Sequence, residues 1–133
     1  MTVTKKRRKR KKRYHTGVYA STKTGQLCKY RSGWELSYLH WLDASPDVAT
    51  FVYEGVKIPY VSNVRTKKIR NYYPDFWVTR VDGTMLLVEI KPKKRLQQAN
   101  VRKKLAAAAD WCRAHGAVLT VLTEVELRVM GLV

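Results

Sequence analysis

Apolar and polar positions alternate with recognisable periods only after the first two dozen residues. Glu35, Leu39 and Leu42 follow one helical stripe, which predicts a helix from Ser32 to about Ala44. Ser45-Pro46 ends it, because the residue before a proline is driven out of the helical region. Phe51 to Val61 and Ile69 to Tyr73 read as extended, with Val64 to Lys68 a basic turn between them. Asp75 to Arg80 is aromatic and β-branched, and Met85 to Ile90 is apolar throughout. With Asp82-Gly83 between them as a turn signal, the two runs read as a β-hairpin. Val101, Leu105, Ala108 and Cys112 then recur at helical spacing within Ala99 to His115, Gly116 closes that helix, and Ala117 to Leu122 is a short apolar strand. A strand, a crossover helix and a second strand form a right-handed unit, so the last strand should run parallel to Met85–Ile90. Thr123 to Glu126 has the spacing of a capping box for a small terminal helix. The segment leading to Tyr30 is extended or irregular. The fold class expected is α/β: a mixed β-sheet flanked by helices, with the chemistry at one sheet edge.

Charge changes this picture at one end. Lys5, Lys6, Arg7, Arg8, Lys9, Arg10, Lys11, Lys12 and Arg13 form an unbroken basic run that cannot fold by itself, so residues 1–13 are expected to be a disordered, solvated arm. Removing those nine from the 27 Lys and Arg leaves 18 against 10 Asp and Glu, so the remainder is basic too. No apolar anchor or lipidation motif accompanies the arm, which points to nucleic acid rather than membrane as the partner. Residues 14–133 suit a single domain: the 133-residue chain is 45% hydrophobic, with four Trp and eight Tyr to build a core. No secretory signal or membrane-length apolar stretch is evident, so a cytoplasmic (host-cell) or virion-associated protein is expected, not a secreted one. Cys28 and Cys112 lack metal-ligand spacing and are expected to remain reduced, and the three His residues form no cluster.

The candidate chemistry lies in the hairpin. Glu89 and Lys91 are two apart on one strand and project from the same face. Their position relative to Asp75 depends on the turn. A two-residue Asp82-Gly83 loop would place Asp75 and Glu89 on opposite faces. A three-residue loop, Val81-Asp82-Gly83, with Gly83 in a left-handed bulge position, sets Asp75 directly across from Glu89 with β-carbons about 5 Å apart. Two such carboxylates repel unless they share a cation. A hard divalent ion resolves the conflict, taking oxygen from Asp75, Glu89 and the backbone carbonyl of Ile90 between Glu89 and Lys91. Lys91 would orient or deprotonate the attacking water, or stabilise charge on phosphate. An isolated Glu-x-Lys is also what an ordinary surface ion pair looks like. The surrounding strand, however, is apolar on both faces, where an unpaired charge is expensive.

Pro74-Asp75, thirteen intervening residues and Glu89-Ile90-Lys91 resemble the PD-(D/E)XK nuclease signature. The likeness extends to Tyr30-Arg31-Ser32-Gly33-Trp34-Glu35, Ile58–Ser62, Arg70–Phe76, Lys91–Lys94, Trp111-Cys112 and Val121–Glu124. Across roughly residues 28 to 127 the chain is most similar to head completion nucleases of T4-like phages and to the TnsA N-terminal endonuclease domain. The resemblance implies a restriction-endonuclease-like sheet and a Mg2+-dependent DNA endonuclease, Mn2+ substituting, that acts in phage head completion. Spacing alone makes Ser32-x-x-Glu35 a helix cap. The resemblance implies instead that Glu35 is an additional catalytic acid, a ligand to a second metal or to its water shell. Lys93, Lys94 and Arg95 would hold the phosphate backbone beside the metal. Two rival readings accompany this one: a Holliday-junction resolvase working as a homodimer on branched DNA, and a non-catalytic DNA-binding component of a virion or transposition complex, with protein partners there.

Overall fold

The computed structural model describes residues 16–133; the basic run Lys5 to Arg13 lies outside the described residues. Eight strands and three α-helices follow in the order β1 (Gly17–Ala20), β2 (Leu27–Tyr30), α1 (Gly33–Ala44), β3 (Val48–Tyr53), β4 (Ile58–Asn63), β5 (Lys68–Tyr72), β6 (Phe76–Arg80), β7 (Met85–Ile90), α2 (Ala99–His115), β8 (Val118–Leu122) and α3 (Glu124–Val129). A 3-10 turn, Lys93–Gln97, links β7 to α2.

The central sheet has the order β3-β6-β7-β8, antiparallel except for the β7–β8 pair, which is parallel as a strand–helix–strand crossover requires. β7 is therefore an inner strand, and its apolar run is buried through Leu87, Val88, Glu89 and Ile90. Helices cover both faces. On one, Tyr38, Leu39 and Leu42 of α1 pack on Phe51, Phe76, Val78 and Val88. On the other, Ala108 and Cys112 of α2 pack with Leu87, Ile58, Tyr60 and Tyr72, while Trp77 meets Trp111 edge to face. Full burial of a side chain such as Leu87 stabilises by about 1.5–3 kcal/mol, so this two-sided cover fixes β7 firmly.

The β6–β7 turn has the three-residue form. Gly83 N–H donates to Arg80 O (3.0 Å), Arg80 N–H donates to Thr84 O (2.9 Å), and Gly83 has φ +90°, where a side chain would be strained. The ladder pairs Phe76 with Val88 and Thr79 with Met85, a register that continues to Asp75 beside Glu89.

Three expectations need correction. Phe51 to Val61 is not one extended run: Glu54, at φ 52°, and Gly55 break it, sending β3 into the central sheet and β4 into a separate ribbon with β5. A Cβ on Gly55 would stand 2.4 Å from Val52 Cγ1, so the chain turns back on itself there too closely for a side chain. The segment before Tyr30 is a regular β1–β2 hairpin, tied to α1 by Asp43, which accepts from Ser21 Oγ (2.6 Å) and Thr22 N–H (2.9 Å). Finally, the acids sit at the ends of inner strands and not at an edge strand. Among the described residues no helix is long and apolar enough to cross a membrane.

Candidate active site

Where β6 begins and β7 ends, a cleft of about 860 Å³ opens, lined by Glu35, Asp75, Glu89, Ile90 and Lys91 together with Tyr72 and the cations Arg31, Arg95 and Lys104. Strand phase explains the grouping. Asp75, Glu89 and Lys91 share the face that bears Leu87, while Ile90 points to the α1 side. Glu35 belongs to the helix on that other side and meets the group beyond the strand ends.

Each acid is held. Glu89 Oε1 accepts from the buried Tyr72 hydroxyl (2.7 Å), and its Oε2 faces Lys91 Nζ at 3.3 Å. Asp75 Oδ2 accepts from Ile90 N–H (2.7 Å), extending the ladder by one side-chain bond past its last backbone pair. Glu35 Oε1 accepts from Arg31 N–H (3.1 Å) and stands 3.0 Å from the Tyr53 hydroxyl, whose single proton also faces Lys29 O at 2.6 Å. Ser32 Oγ caps α1 by accepting from Glu35 N–H (3.1 Å). Among the described residues no buried side-chain nitrogen or oxygen lacks a partner.

The electrostatics are those of acids crowded in low dielectric. Burial pushes Asp75 well above the ordinary aspartate value, and the charges of Glu89 and Glu35 push it further; the Ile90 amide and Lys91 oppose the shift without cancelling it. Burial also raises Glu35. Tyr72 and Tyr53 are raised by burial and then by their acidic neighbours, so both hydroxyls stay protonated and act as donors. A divalent cation would offset this penalty, and the donor set, carboxylate oxygen in an open cleft, fits a hard ion. Among the described residues no three His, Cys, Asp or Glu side chains stand close enough to form a metal cage by themselves. Asp75 and Glu89 are the pair that would hold such an ion, and Glu35 lines the same cleft.

A family model described as TnsA-like endonuclease N terminal matches residues 45–124. The chain belongs to the TnsA-like endonuclease N-terminal family. Over 80 residues it is 39% identical to a head completion nuclease of Enterobacteria phage T4, covering 60% of this chain and 53% of that protein. The chain thus spans about half the length of the curated relative it matches. In this TnsA-like domain the matched span contains Asp75, Glu89 and Lys91 but begins after α1, so Glu35 is placed in the cleft by the fold alone.

Of the residues named from the sequence, Glu35, Asp75, Glu89, Ile90, Lys91 and Arg95 line the cleft, whereas Lys93 and Lys94 are exposed on the 3-10 turn outside it. Lys5 to Arg13 lie outside the described residues, although Thr16, the first residue described, is on the cleft wall. The sequence reading gave neither Tyr72 nor Tyr53 a role at the site. The one available signal was that a buried tyrosine needs a hydrogen-bond partner. Lys104 was also missed; its ammonium is 5.8 Å from the Tyr72 ring centroid, within cation–π range.

Proposed function

We propose that this protein is a Mg2+-dependent DNA endonuclease that hydrolyses phosphodiester bonds, with Mn2+ able to substitute, and that it serves phage head completion as the T4 relative's name states for that protein. The observation that carries this reading is the convergence of Asp75 and Glu89 beside Lys91 in one cleft rimmed by cations. Asp75, Glu89 and the Ile90 carbonyl would hold the ion, with Glu35 reaching it through water. When bound, such an ion supplies Lewis-acid stabilisation of phosphoryl charge and makes water a stronger nucleophile near neutral pH. The protein's own groups do the rest. Tyr72 donates to Glu89 and fixes the direction of its carboxylate, and the Ile90 amide does the same for Asp75. Lys91, partly buried, presents its ammonium where it can orient water or meet developing negative charge on phosphate. Arg31, Arg95 and Lys104 line the cleft as positive charges suited to the DNA backbone.

The test is nicking of supercoiled plasmid in Mg2+, repeated with Asp75→Ala and Lys91→Ala. Nicking that is lost in both variants while they still bind DNA supports the enzyme. A parent protein that binds plasmid in Mg2+ or Mn2+ and leaves it intact would instead identify a non-catalytic DNA-binding component. Paired cuts on opposing strands of a four-way junction, with linear duplex spared, would identify the dimeric resolvase.

A further inference from the structure

The β4–β5 ribbon stands apart from the central sheet. One face is anchored: Ile58, Tyr60 and Tyr72 pack against α2, and Lys103 Nζ donates to Ser62 O (3.0 Å). The opposite face, with Pro59, Val61, Ile69 and Asn71 in register, has no cover among the described residues. Val61, Val64 and Ile69 are 46%, 75% and 64% exposed. From Gly55 to Pro74 the sequence has five basic residues and not one acid. Four of the five, Arg65, Lys67, Lys68 and Arg70, lie at the outer end of the ribbon.

The tip is built rather than slack. Asn63 Oδ1 accepts from the backbone N–H of Arg65 (2.9 Å) and Thr66 (3.2 Å), and Ser62 Oγ donates to Lys68 O (3.2 Å). Lys67 takes a left-handed backbone, φ 57°, to close the turn. The ribbon also leads into the cleft, because at its inner end Asn71 of the free face and Tyr72 of the anchored face both line the cleft wall.

We propose that the β4–β5 ribbon enters a groove of duplex DNA and sets the duplex on the cleft. This rests on the DNA reading above and adds to it the form of nucleic acid recognised. A two-stranded ribbon matches the width of the major groove, and strands of five to six residues reach about 16–20 Å. The basic tip supplies contacts to the phosphates on either side of the groove, and the exposed Val64 and Ile69 supply apolar contact of the kind a thymine methyl accepts. The absence of acids along the ribbon favours a polyanion over a protein surface of mixed charge.

The experiment uses the full chain and the triple variant Arg65→Gln/Lys68→Gln/Arg70→Gln, whose substituted residues are all exposed. Binding to a fluorescent 20-base-pair duplex and to the matching single strand is titrated in EDTA, so the outcome does not depend on cleavage. The triple variant should bind duplex at least tenfold more weakly, with a slope of log affinity against log salt shallower by about 2.7 if three phosphate contacts are lost. Single-strand affinity should change less than threefold, and protection of guanine N7 from methylation should weaken with the duplex only. Unchanged duplex affinity overturns the proposal, and so does an equal loss on both substrates, which marks a general phosphate clamp. Loss of nicking in the parent protein would refute the nuclease assignment and leave this measurement intact.

Discussion

Two helices of this molecule begin with the same local signal and use it differently. At α3, Thr123 and Glu126 form a reciprocal cap: Thr123 Oγ1 accepts from Val125 N–H, and Glu126 Oε1 accepts from Thr123 N–H (2.7 Å) and Oγ1 (2.6 Å). At α1, Ser32 caps in the same manner, but Glu35 reaches past the cap to Arg31 N–H and the Tyr53 hydroxyl, and it lines the cleft. Hydrogen bonds from Thr123 pull Glu126 below the ordinary glutamate value, whereas burial lifts Glu35 above it. The difference lies in the surroundings. Glu126 stands in solvent at the surface, while Glu35 is buried on the cleft wall, where its carboxylate meets Arg31 N–H and the Tyr53 hydroxyl. A four-residue motif therefore states that a helix starts and leaves open what its acid does.

The largest effect that would separate the two acids is on cleavage. Glu35→Gln should slow plasmid nicking by about 10- to 100-fold, the usual consequence of losing a group that acts through a metal's surroundings, and Glu126→Gln should leave the rate unchanged. Equal rates for both variants would make Glu35 a cap and nothing more. Next comes the support of the acids. Tyr72→Phe removes the buried donor to Glu89 and should lower the nicking rate about tenfold, with partial recovery at higher Mg2+. Tyr53→Phe should lower it less, since that hydroxyl divides its proton between Glu35 and Lys29 O.

Stability should reverse the order. Thr123→Ala removes the α3 cap and should reduce unfolding free energy by about 1 kcal/mol in urea titrations without affecting nicking. The smallest effect, and the sharpest in sign, is on pH dependence in EDTA. The folded-state pKa of Glu35 is raised, so its favourable contribution is complete below the unfolded glutamate value and disappears as pH rises through the higher folded one. Glu126 is lowered, so its contribution is present above the unfolded value and is lost as pH falls through the folded one. Thermal midpoints of Glu35→Gln should gain on the parent as pH rises above the glutamate range. Those of Glu126→Gln should fall behind the parent at lower pH, as pH rises from the lowered folded value to the unfolded glutamate value, and the deficit should stay constant above it.

Much of the site could be read from sequence because it depends on short-range geometry. Asp82-Gly83 demanded a left-handed residue, and that fixed the phase between Asp75 and Glu89. The crossover from β7 through α2 to β8 followed from handedness alone. The parts that escaped were set by contacts distant in sequence. Glu54 and Gly55 carry a break between two sheets that their residue types announce only weakly. The bond from Tyr72 to Glu89 spans seventeen residues, and nothing local in Arg70–Pro74 distinguishes a tyrosine that merely fills the core from one that also orients an acid. The β1–β2 hairpin is short and half exposed, so its alternation was faint, and its anchor, Asp43, lies more than twenty residues away.

The bond from Ile90 N–H to Asp75 gives the molecule a built-in reporter. Because that amide is gripped by the carboxylate and not by a neighbouring strand, its resonance will move whenever the charge on Asp75 changes. One cross-peak in a nitrogen–proton spectrum therefore follows protonation or cation uptake at the cleft, with no DNA in the tube.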